Sequence, residues 1–226
     1  MMRGALIAIA LAVVIVVPGA QTAGTGTIVG HVTLTRKVGG TGLPSTIYQP
    51  RVVTNHASSS VPEIANVVVS LKNVVFRGAL PVSHKKIRQE HEEFLPRVLA
   101  VTRGSTVDFP NGDPVFHNVF SLASAATFDL GRYPKGLSKT EAFTKAGLVK
   151  VYCHLHSQMS ASILVLDHPY FTTPDDDGTF RLSNVPPGSY TIVGWHERVG
   201  ERAASVVITE GQSTSVSLLL PVEDLP

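Results

Sequence analysis

The chain predicts an all-β protein built from β-sandwiches. Short runs rich in β-branched and aromatic residues recur along it, and clusters of Gly, Pro, Asn and Asp separate them. Apolar periodicity of 3.6 residues is almost absent. At 226 residues and 43% hydrophobic content, the chain can build one or two domains with packed cores. Lys and Arg total 19 against 17 Asp and Glu, a formal charge of +2 with no long basic run. Nucleic acid and anionic membrane surfaces are therefore not expected partners.

The elements follow in order. Arg3 precedes an apolar run over 5–17, which Pro18, Gly19 and Ala20 break. The run is shorter than the roughly 20 residues of a membrane span. It reads as a secretory signal peptide over 1–23, so the expected location is periplasmic or secreted. If it stays uncleaved it is a membrane anchor instead. Strands are expected over 27–34, 66–71, 98–101, 106–109, 115–120, 148–152, 162–166, 179–182, 189–193, 204–208 and 213–220. The charged stretch 85–94 reads as a loop or a short helix. Pro174-Asp175-Asp176-Asp177-Gly178 reads as a turn, since it lacks the alternating ligands and distal Glu of a calcium loop.

Residues 26–34 and 66–71, with 177–182 and 185–192, resemble the opening and later strands of transthyretin-like, carboxypeptidase-regulatory-like modules. Neither part alone has enough strands to close two sheets. This predicts one smaller outer sandwich split over 24–81 and 169–226, with a second domain over 82–168 inserted into it. Three modules in series is the competing layout.

The chain has one cysteine. In an oxidising compartment an unpaired Cys is buried and inert, joined to another chain, or held as a metal thiolate. Its neighbours favour the last. Cys153-His154-Leu155-His156-Ser157-Gln158-Met159 places a thiolate, an imidazole and a thioether on one tight loop. Soft sulfur with imidazole suits copper, and two His, one Cys and a weak axial Met form the blue-copper set. His117 is the candidate second His. Zinc is the rival metal, but Met is a poor zinc ligand and the loop has no second thiolate or carboxylate.

The middle block resembles a cupredoxin, the family of plastocyanin and amicyanin. Val101-Thr102-Arg103-Gly104-Ser105-Thr106-Val107-Asp108-Phe109-Pro110-Asn111 is similar to the family's V-x-x-G-x-T-V-x-F-x-N strand pair. His117-Asn118-Val119 is similar to the motif of its first His ligand. Phe143, Gly147 and 149–153 resemble the lead into the Cys, with one residue fewer between Tyr and Cys than some members have. The resemblance covers about 80 residues. It implies a Greek-key sandwich and one copper ion cycling between Cu(I) and Cu(II). His117, Cys153 and His156 would be the strong ligands, and Met159 the weak one. Asn118 would tie the ligand loops together from behind them. His154 stands where several cupredoxins carry a small hydroxyl residue, which weakens the partnership expected of Asn118. Tyr152 would offer a second electron route, as in plastocyanin. Pro114, Val115, Leu155 and Ala161 would rim the copper, with an edge of His156 as the electron exit.

The function implied is single-electron transfer between redox protein partners, with no small-molecule substrate. No His-x-His pair lies outside the loop, so a second catalytic copper and enzyme activity are not expected. The alternatives are a periplasmic copper-buffering or delivery protein, and a structural or adhesive sandwich with a vestigial metal site. Only 3 Met are present, with Met1 and Met2 in the signal segment, which disfavours an open Met-rich storage site. His84 and His91 are expected at the surface, and His196 is expected to be structural or to touch the neighbouring domain.

Overall fold

The computed structural model describes residues 24–36 and 62–222, so the expected signal segment lies outside the described residues. The strands are β1 (Gly26–Arg36), β2 (Val67–Lys72), β3 (His84–Lys86), β4 (Arg88–Glu90), β5 (Glu93–Leu95), β6 (Val98–Thr102), β7 (Thr106–Pro110), β8 (His117–Ala123) and β9 (Ala126–Tyr133). They continue with β10 (Ser138–Ala142), β11 (Gly147–Tyr152), β12 (Ser160–Leu166), β13 (Phe171–Thr172), β14 (Thr179–Val185), β15 (Gly188–His196), β16 (Gly200–Ile208) and β17 (Ser213–Val222). A 3-10 turn, Glu63–Asn66, leads into β2. The molecule is all-β, with two packed sandwiches.

One sandwich draws its strands from both ends of the chain. Its sheets run β14-β1-β17 and β13-β2-β15-β16. β1 pairs antiparallel with β14 and parallel with β17, so the first described strand lies beside the last. Ile28, Val32, Leu71, Ile192, Leu218 and Leu220 are among the residues that fill its core. The acidic turn folds as a turn: the Gly178 N–H donates to the Asp175 carbonyl at 2.8 Å. Gly178 has φ +87°, and a Cβ there would lie 2.3 Å from the Val32 carbonyl, so only glycine suits this crossing.

The other sandwich uses the middle of the chain. Its main sheet runs β6-β12-β11-β8-β9, faced by β10-β7-β3 and the β4-β5 hairpin. Phe94, Phe109, Phe143, Val149, Val151 and Ile163 are in its core. β12 is buried on both faces, and its side chains divide by alternation. Ala161, Ile163 and Val165 join this core, while Leu164 joins a separate cluster with Val68 and Val98. β2 divides likewise, with Val67, Val69 and Leu71 in the other core and Val68 in the shared cluster. The two sandwiches therefore meet across an apolar seam, with Ala100, Phe171 and Trp195 packed against it. At its edge, Lys150 Nζ on β11 donates to Glu197 Oε1 at 2.5 Å. Burial raises the Glu197 pKa, but the Lys150 ammonium together with Arg97 and His196 outweighs it and holds the carboxyl below its usual range.

The stretch 85–94 is neither loop nor helix. It contributes β3 and the β4-β5 hairpin. His91 and Glu92 form the hairpin's two-residue turn, both at positive φ (57° and 58°). This type I′ geometry normally calls for Asn-Gly or similar pairs, so the local sequence hid it. β9, β10 and the short β13 were likewise absent from the sequence reading. β9 and β10 expose alternate polar residues and carry little hydrophobic signal.

Two buried histidines give this fold a pH dependence. His196 is 1% exposed, with Nε2 3.1 Å from Glu63 Oε1, and His168 is 7% exposed. Burial lowers both pKa values below the ordinary His value. The unfolded chain then binds more protons below about pH 6.5, so stability is present above that pH and is lost as pH falls. The melting temperature of the metal-free protein should fall between about pH 7 and pH 5, and His196→Asn should flatten that slope. An unchanged slope in the variant would remove His196 from this account.

Candidate metal centre

His117 opens β8, and Cys153 directly follows β11. His156 and Met159 lie in the loop from Cys153 to β12. Two backbone bonds tighten that loop: the Cys153 N–H donates to the Met159 carbonyl at 3.3 Å, and the Met159 N–H donates to the His156 carbonyl at 3.0 Å. His117 is fully buried, Cys153 is 5% exposed and Met159 is 1% exposed.

Three donor atoms converge. Cys153 Sγ lies 3.9 Å from His117 Nδ1 and 3.9 Å from His156 Nδ1. The two Nδ1 atoms are 3.1 Å apart. Among the described residues this is the group of His, Cys, Asp or Glu that could hold a metal ion. Three donors around one ion at about 2.0–2.3 Å each stand roughly 3.5–4 Å apart in a trigonal plane. The observed spacings are close to that, so the residues present fit a His2Cys copper centre.

The outer nitrogens of both rings face carboxylates. His117 Nε2 lies 2.9 Å from Asp113 Oδ2. Asp113 also accepts the backbone N–H groups of His91 at 2.7 Å and Glu92 at 2.8 Å. Burial works against the charged carboxylate, but these N–H groups and His117 outweigh it and hold Asp113 below the usual carboxylate range. Such a carboxylate fixes the ring's tautomer and aims the other nitrogen at a metal. His156 Nε2 lies 3.9 Å from Glu92 Oε1. The sequence reading assigned neither Asp113 nor Glu92 a role. Asp113 stood four residues before His117, a spacing without meaning in a loop. Glu92 is distant in sequence from every candidate ligand.

Asn118 joins the His117 segment to the Cys153 segment. Its Oδ1 accepts the backbone N–H of His154 at 2.8 Å. The donor is a main-chain group, so the side chain at position 154 is irrelevant to the bond, and the hydroxyl residue is not needed. The exposed His154 ring lies against Phe120, with centroids 3.7 Å apart. Tyr152 is 38% exposed, with its ring 5.8 Å from Phe120.

Of the four residues expected to rim the site, Pro114, Val115 and Leu155 are exposed. Ala161 is fully buried, because alternation along β12 turns it into the core opposite Val151. Phe116, which the sequence reading passed over, is 55% exposed beside His117. Beneath the site, Gln89 Nε2 donates to Tyr133 Oη at 2.7 Å, and Tyr133 Oη donates to the Phe109 carbonyl at 2.8 Å. Tyr133 is paired with His117 across β8 and β9, so this buried network braces the strand that carries the ligand.

The fold and the site together define a two-sandwich β-protein with a convergent His-Cys-His cluster in the sandwich built from the middle of the chain. Comparison with known proteins gives the following likenesses. The family model of polysaccharide lyase family 4, domain II, matches residues 146–216, well under half of the chain. No curated protein matches the chain in sequence. Among solved structures it is similar to a copper-containing nitrite reductase from Thermus scotoductus SA-01, at 24% identity and a TM-score of 0.36. That likeness covers 41% of this chain and 25% of the reductase, so the chain spans only a quarter of that protein. A purple cupredoxin from Nitrosopumilus maritimus is 22% identical over 36% of this chain and 99% of its own, with a TM-score of 0.33. Amicyanin from Paracoccus versutus is 22% identical over 38% of this chain and 85% of its own, with a TM-score of 0.35.

Proposed function

We propose that the protein is an exported single-electron carrier in which His117, Cys153 and His156 would hold one copper ion, with Met159 as a weaker fourth ligand. The observation that carries this reading is the mutual spacing of Cys153 Sγ and the two Nδ1 atoms, 3.1 to 3.9 Å, in a largely buried pocket. We read residues 82–168 as the copper domain, set into a loop of an outer sandwich formed by 24–81 and 169–226.

When bound, copper supplies the one-electron exchange. The chain's own residues supply rigidity. Cys153 would hold the metal through its sulfur, on a loop closed by two backbone bonds. His117 is held by Asp113, and Asn118 locks the His117 segment to the Cys153 segment. His117 opens β8 and Cys153 directly follows β11, so the strand scaffold would hold these donors in place through a change of oxidation state. We read the protein as a carrier for redox protein partners.

The deciding experiment is the visible and electron-paramagnetic spectrum of the purified protein after Cu(II) addition. A strong blue thiolate-to-copper band with one copper per chain is expected. A colourless, tightly bound zinc protein would sink the reading. Met159→Leu should keep copper, cost under about 1.5 kcal/mol in stability and raise the reduction potential. Loss of copper binding in that variant would show that Met159 is more than a weak ligand.

A further inference from the structure

We infer that Glu92 is a positioning and charge-tuning residue of the metal centre, delivered by the β4-β5 hairpin to the outer edge of His156. This rests on the copper reading above. Three observations carry it.

The first is the turn. His91 and Glu92 occupy the left-handed region at φ 57° and 58° although neither is glycine or asparagine. The left-handed region disfavours residues that carry a Cβ, so the surroundings must hold the turn in place. The second is what holds it. The Asp113 carboxylate accepts both turn N–H groups, at 2.7 and 2.8 Å, and also meets His117 Nε2 at 2.9 Å. One buried carboxylate thus sets the hairpin tip and one ligand imidazole together. The third is where the tip points. Glu92 Oε2 accepts from Gln158 Nε2 at 3.0 Å, and Glu92 Oε1 lies 3.9 Å from His156 Nε2. Gln158 and His156 belong to the ligand loop itself.

The strained turn therefore reaches both ligand segments, through Asp113 to His117 and through Glu92 to the 153–159 loop. The His156 side chain is 21% exposed, and Glu92 stands at its open side. With Nδ1 directed at the metal, Nε2 carries the proton and faces a carboxylate. That negative charge favours the more positive oxidation state of the centre. The hydrogen bond to Gln158 keeps it there.

Three variants separate charge from geometry. Glu92→Gln removes the charge but keeps an oxygen for Gln158. It should raise the reduction potential, a change of about three- to tenfold in the ratio of Cu(II) to Cu(I) affinity, with the blue band unmoved. Glu92→Ala should raise the potential similarly and also speed copper loss to a chelator, because the loop loses its tie. Glu93→Gln, on the same hairpin, should change the potential much less. The melting temperature of metal-free Glu92→Gln should match that of the parent. The inference is overturned if Glu92→Gln leaves the potential unchanged, or if Glu93→Gln moves it equally. If the parent protein forms no blue site, the copper reading fails first and this one falls with it. A blue parent whose potential ignores Glu92 rejects this inference alone.

Discussion

Cys153→Ser should abolish the blue colour completely and weaken copper binding by about a hundredfold or more. That exceeds the 10–100-fold loss typical of groups that stand behind the ligands. Serine offers a hydroxyl with a far higher pKa than a thiol, so neither the soft donor nor its charge-transfer band survives. Cys153 is also part of the inner core at 5% exposure. The hydroxyl there should cost on the order of 1–2 kcal/mol, and the fold should remain. Absorption spectroscopy and calorimetric copper titration check the first part, and a thermal melt of the metal-free variant checks the second. A Cys153→Ser protein that stays blue would show that the colour arises elsewhere.

Asp113→Ala should have the second largest effect, and it should appear in both stability and metal binding. The substitution strips partners from His117 Nε2 and from the N–H groups of His91 and Glu92. His117 is fully buried, so its nitrogen cannot recover a bond with water. Leaving the buried His117 nitrogen unpaired, and releasing a turn held at positive φ, should cost roughly 3 kcal/mol. Copper affinity should fall about 10–100-fold, since the imidazole loses the group that fixes its orientation. Denaturant melts of the metal-free protein and competition with a chelator give the two numbers independently. If affinity falls while metal-free stability is untouched, Asp113 acts on the ligand alone and does not hold the hairpin.

Much of this was legible along the chain because it depended on local chemistry. Strand alternation marked β1, β2 and β14 to β17, since each needs only one apolar face or a continuous apolar run. The Cys153, His156 and Met159 spacing was legible because all three lie on one short loop. His117 was harder. Its meaning came from the motif around it, since a single buried His on a strand has many roles.

Other features were invisible for a shared reason. The hairpin at 88–95 looked like a charged loop or a short helix because its turn violates the usual residue preference, and the compensation comes from Asp113, more than 20 residues away. The weakening expected from His154 does not arise, because Asn118 takes its main-chain N–H, which leaves no mark in the sequence. Ala161 looked like a surface residue beside Met159 until the register of β12 turned it inward.

The sequence by itself therefore determined the all-β class and the placing of three candidate donors, Cys153, His156 and Met159, on one loop. These follow from side-chain period and from contacts within a few residues. Tertiary structure alone decided that both imidazoles meet the thiol within 3.9 Å, and that Asp113 and Glu92 stand behind them. Those facts depend on how separate strands pair and which face each residue takes, and a shift of one residue in register would undo them.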